Sequence, residues 1–81
     1  MGKKEIEKAD EKEIMFGAMH ERGAKQAEMA EKLGLKQPSL SGNMNRSRTS
    51  LEFFVKFLDA LDYDVVIVDR NSGEMAWKVE K

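Results

Sequence analysis

The stretch from Lys25 to Met44, KQAEMAEKLGLKQPSLSGNM, limits what this chain can fold into more than any other part of it. Its spacing predicts two short helices joined by a tight turn. Ala30 is small where two helices must cross closely, and Gly34 supplies the positive φ that ends the first of them. Leu35 plugs the corner. Met29, Leu33, Leu35, Leu40 and Met44 can all point the same way, so the pair forms one side of a small core and keeps a polar outer face.

The flanking sequence supplies the rest of that core. Residues 1–10 are highly charged and poor in apolar side chains, and are expected to fray. From about Glu11 a helix is predicted, with Ile14, Met15, Ala18 and Met19 as its apolar stripe and Gly23 as its end. Ser50 caps a fourth helix running to Leu61. On it Leu51, Phe54, Val55, Leu58 and Leu61 complete the core, whereas Phe53, Phe57 and Ala60 fall on a second stripe. Val65–Val68 and the alternation Met75, Trp77, Val79 flank Asn71-Ser72-Gly73, which reads as a β-hairpin with Gly73 left-handed. The expected fold is mainly α: a single domain with four helices over 11–61 and a hairpin over 62–81. A lone hairpin is marginal in water, so it should pack on the fourth helix or pair with its counterpart in another copy.

Over roughly Ile14 to Leu61 the chain resembles the helix-turn-helix of the phage repressor and Cro family of DNA-binding regulators. The residues that carry the resemblance are Gln26, Ala30, the Gly34-Leu35 turn, Gln37, Leu40 and Ser50-Leu51-Glu52. It implies a five-helix or shortened four-helix repressor-like domain whose third helix lies in the major groove of double-stranded DNA. It further implies that Gln37 reads adenine, steadied by Gln26, that Gly42 stands at another reading position, and that Asn45 contacts the backbone.

The residues themselves suggest the remaining contacts. Pro38 fits best as the first helical residue, which would make Gln37 the cap, and Pro38 could touch a thymine methyl. Ser39 and Ser41 can donate or accept at base edges or phosphates. Gly42 offers only close backbone approach and costs ~1 kcal/mol of helix propensity. Where the resemblance implies that the start of the second helix and the loop after the third meet the sugar-phosphate backbone, backbone contacts are assigned to Lys25, Gln26, Lys36, Asn43, Asn45, Arg46 and Arg48. Lys25 stands where a hydroxyl would cap the second helix, leaving Glu28 as half of a capping box. It is read either as a trade of stability for phosphate attraction or as an ordinary solvated lysine.

Charge distribution agrees with that assignment. The chain is near neutral overall, but residues 22–50 carry +4, between flanks of −2 and −3. A basic excess over the proposed DNA-binding unit is what phosphate contact requires, with chance clustering as the alternative. The chain has no cysteine and one histidine, and no phosphate-binding glycine loop or catalytic carboxylate pair is visible. An enzyme, a cofactor and a metal site are therefore not expected. Neither signal peptide nor membrane span is read, and the absence of cysteine fits a reducing cytoplasm.

The function expected is a sequence-specific transcriptional regulator, a repressor that binds a near-palindromic operator as a homodimer. The dimer interface is assigned to Phe53, Phe57, Val66, Val68, Met75 and Trp77, the apolar surplus that one small copy cannot readily cover. The alternative is a protein-interaction module on the same scaffold, such as an antitoxin or antirepressor.

Overall fold

The computed structural model describes residues 8–46 and 49–80. Four helices, α1 (Glu11–Arg22), α2 (Gln26–Leu33), α3 (Gln37–Met44) and α4 (Leu51–Ala60), precede an antiparallel hairpin of β1 (Val65–Val68) and β2 (Met75–Val79). Two helix starts are capped by side chains: Asp10 accepts from the Glu13 amide at 2.8 Å, and the Ser50 hydroxyl accepts from the Phe53 amide at 3.1 Å. Each satisfies an amide that the helix itself leaves without a partner.

Three helices end in the same way. The amides of Ala24, Leu35 and Tyr63 each donate at 2.9 Å to a carbonyl five residues back, those of Met19, Ala30 and Leu58. This closure needs a left-handed residue just before the donor. Gly23 and Gly34 supply it with φ of 65° and 67°, but at the end of α4 the position is Asp62, with φ 63°. A side chain there crowds the following carbonyl, and a carboxylate opposes the negative end of the helix dipole. Asp62→Gly is therefore expected to raise the unfolding free energy by about 0.5–1 kcal/mol. Chemical denaturation of the two proteins checks this, and a loss of stability on substitution would contradict it.

The core is assembled from all four helices: Met15, Ala18 and Met19 of α1, Met29 and Ala30 of α2, Leu40 and Met44 of α3, and Phe57, Leu58 and Leu61 from α4 and its end. Leu33, Leu35, Phe53, Phe54 and Val65 pack around its margin. Unbranched methionines fill the irregular space where short helices of unequal length converge. Two expectations are corrected here. Phe57 is fully buried, at 0% exposure, not left on a second stripe, whereas Leu51 is 62% exposed and does not complete the core. The reason is that α4 packs against both α1 and α2. A helix with two neighbours buries a broad arc, and Phe54, Phe57, Leu58 and Leu61 span it at helical spacing. Leu51 lies on the same side as Val55 and Leu58, but it stands in the first turn, ahead of the packed stretch, and stays exposed. Ile14 sits at the edge of the α1 stripe and is 37% exposed.

Cations from two helices converge on the last carbonyls of α4. Arg22 donates from Nε to the Leu61 carbonyl at 2.9 Å, its guanidinium lies 4.1 Å from the centre of the Tyr63 ring, and Lys32 Nζ donates to the Ala60 carbonyl at 3.4 Å. Positive charge is favoured at this end of a helix. The Tyr63 hydroxyl donates to Glu21 Oε2 at 2.5 Å. That hydrogen bond, more than burial, holds the phenol above its ordinary pKa, because the bond is available only while the proton is present.

The hairpin pairs Val65 with Val79, Val66 with Lys78, Ile67 with Trp77 and Val68 with Met75, with a bulge between the last two pairs. Gly73, at φ 74°, turns the chain as expected, and the Asp69 carboxylate accepts from the Asn71 amide at 2.8 Å. Alternation along the strands places Val65, Ile67, Trp77 and Val79 on one face, and Val66, Val68 and Lys78 on the other. The expected interface set is corrected accordingly. Phe57 belongs to the core, and Val66 and Val68 face away from Trp77, so those residues do not form one surface. Among the described residues the base of the hairpin packs against the helical core through Val65, and Trp77 and Met75 remain 72% and 74% exposed.

Candidate nucleic-acid interface

The α2–α3 pair differs from the rest of the molecule in how its helices begin. Asp10 and Ser50 cap α1 and α4 with side-chain oxygens, but the residues preceding α2 and α3 are Lys25 and Lys36, both extended and both exposed. Lysine is a donor only and cannot cap an amide. At α2 the half box expected from the sequence is present, the Lys25 amide donating to Glu28 Oε1 at 3.3 Å. The first amides of both helices are thus left to solvent or to an anion, each beside an ammonium group.

Helix α3 carries no charged side chain from Gln37 to Met44. Leu40 and Met44 are buried and hold it to the core, while Gln37, Pro38, Ser39 and Gly42 are exposed. The helix starts one residue earlier than expected: Gln37 is its first residue, Lys36 its cap, and Pro38 stands in the first turn, where a missing amide costs nothing. Gly42 is open, and an added Cβ there would meet nothing within 4 Å. No packing inside the protein requires glycine at that position.

The other assigned residues divide. Ser41 and Asn43 are half-buried. Asn45 is exposed, but its side-chain amide turns back to donate to the Ser41 carbonyl at 2.8 Å, which closes the end of α3. Gln26 is half-buried at the start of α2, and among the described residues no hydrogen bond joins it to Gln37. Arg46 is exposed just past α3. Arg48 lies outside the described residues.

The chain matches no protein-family model, no curated protein and no solved structure.

What the sequence could not convey is how the basic excess is spent. Arg22 and Lys32 contribute to the +4 of residues 22–50, yet both are held on α4 carbonyls. The cations open on the α2–α3 side among the described residues are Lys25, Lys36 and Arg46. No local signal separates the two groups, because the carbonyls involved are 28 and 39 residues away in the chain.

Proposed function

We propose that this protein is a sequence-specific double-stranded DNA-binding transcriptional regulator, acting as a repressor, in which α2 and α3 form a helix-turn-helix and α3 enters the major groove. The observation that carries the reading is the pairing of two lysine-led, side-chain-uncapped helix starts with an uncharged α3 face of glutamine, serine and glycine. Helix starts of this kind suit phosphate oxygens. Small polar side chains on a helix held from behind by Leu40 and Met44 suit close approach to base edges. The resemblance of Lys25–Met44 to phage repressors points the same way.

In this reading Gln37 is the principal base reader, with Pro38 and Ser39 beside it, while Lys25, Lys36 and Arg46 engage phosphates. Ser41 and Asn45, already bonded to each other, shape the end of α3. Selection of bound sequences from random duplexes at moderate salt tests the proposal, and an enriched motif is the expected result. Gln37→Ala should then relax the preference at one position by about 1–3 kcal/mol, the value of one bidentate contact. Failure to enrich any sequence would instead favour the protein-interaction module, and an unchanged motif with Gln37→Ala would remove α3 from the groove.

A further inference from the structure

Along α1 the residues Glu13, Gly17 and Glu21 follow one another at helical spacing and share one line on its surface. Gly17 is exposed at the centre of that line. An added Cβ there would meet nothing within 4 Å, so no packing inside the protein calls for a glycine that weakens the middle of the helix. Its missing side chain leaves open a groove of about 550 Å³ between α1 and the junction of α4 with β1. Ile14, Ala18 and Leu58 give the groove an apolar floor, and Tyr63 and Asp64 form its far wall.

The charge around this groove is of one sign. Among the described residues that line it none is lysine or arginine, His20 is the single basic side chain, and Glu13, Glu21 and Asp64 are acidic. Glu13 and Glu21 stand at the two ends of the apolar floor, about 12 Å apart by the rise of the helix. Glu21 accepts the Tyr63 hydroxyl, and Lys78 offsets Asp64 at 3.2 Å. Glu13 is left as the carboxylate best placed to meet a ligand.

We infer that the groove binds a small organic cation, an apolar ring system carrying a protonated amine. The ring lies over Gly17 against Ile14 and Leu58, and the ammonium reaches the Glu13 carboxylate. The volume falls within the range of small-molecule sites. A protein partner fits less well, because the apolar floor spans only two turns of α1 and a docked amphipathic helix needs a longer row of anchor pockets. Charge complementarity selects the cation over an anion of the same shape. The inference goes beyond the DNA-binding reading and does not rest on it, and its test uses no DNA, so the two can fail separately.

Titration of the isotope-labelled full chain with 1-naphthylmethylammonium, followed by amide resonances, should give saturable shifts at Gly17, Ala18, Leu58 and Tyr63 with a dissociation constant of about 100 µM, in keeping with a ligand of this size. The anion 1-naphthoate, with the same rings, should bind at least about fivefold more weakly. Glu13→Gln should weaken the cation about two- to fivefold, the value of an exposed ion pair. Gly17→Leu has room for its side chain and is the better helix former, so it should melt no lower than the parent while losing binding at least about tenfold. Groove resonances that do not move at about 2 mM of the cation, far above the expected constant, would overturn the inference. So would equal binding of the naphthoate, or undiminished binding by Gly17→Leu or Glu13→Gln. A lysine-rich helical peptide that moved these resonances where the small cation did not would make the groove a protein-docking face instead.

Discussion

Replacing Phe57 with alanine is expected to lower the unfolding free energy by about 3–5 kcal/mol, the usual cost of deleting a buried phenyl ring. The ring is fully buried in the cluster shared with Met15, Met29, Leu40 and Met44, and is 6.0 Å from that of Phe53. Its removal leaves a cavity bordered by several helices at once. A domain of this size has about 4–12 kcal/mol of stability in all, so the variant would lose roughly a quarter or more of it. Urea denaturation at two protein concentrations provides the measurement. A core role predicts a large loss that is independent of concentration. A loss below about 1 kcal/mol, or one that appears only when the protein is dilute, would return Phe57 to an interface and undo the packing account.

Neutralising Lys25, Lys36 and Arg46 together to glutamine should have the second large effect, on DNA binding and not on folding. Each phosphate contact steepens the fall of log affinity with log salt by about 0.9, so the variant's slope should be shallower by about 2.7. Between about 50 and about 200 mM salt the parent would lose ~40-fold more affinity than the variant. Arg22→Gln is the decisive comparison. It belongs to the same basic stretch, but its guanidinium is committed to the Leu61 carbonyl and the Tyr63 ring, so it should destabilise the protein and leave the salt slope alone. Equal slope changes for Arg22 and for the exposed cations would mean that net charge, not placement, governs binding.

Much of the fold was legible because its signals are local. Gly23, Gly34 and Gly73 mark left-handed turns, Ser50 marks a helix start, and the spacing of Met29, Leu40 and Met44 marks a buried face. The element order of four helices and a hairpin follows from these alone. The errors lie where the third dimension enters. Whether Phe57 is core or surface depends on how many neighbours α4 has, and periodicity on one helix does not count neighbours. The pairing of Ile67 with Trp77 depends on a register with a bulge, so the sequence grouped residues that stand on opposite faces of the hairpin. Asp62 in a left-handed position could not be foreseen, because aspartate gives no sign comparable to glycine. Of the candidate DNA-contacting set, exposure favours Lys25, Lys36, Gln37, Pro38, Ser39 and Arg46, while the Asn45 amide is turned inward by a carbonyl only four residues away.

The methionine-lined core has a chemical consequence separate from packing. Met15, Met19, Met29 and Met44 are sealed from solvent, whereas Met75 stands open on the hairpin. Thioethers become sulfoxides only where oxidant reaches them, and a sulfoxide is too polar to return to an apolar interior. Peroxide would therefore mark Met75 at the rate of the free amino acid and the other four only as fast as the helices part. Each molecule that opened long enough to be oxidised would be barred from closing again, so for this protein the frequency of transient opening sets its lifetime under oxidative conditions.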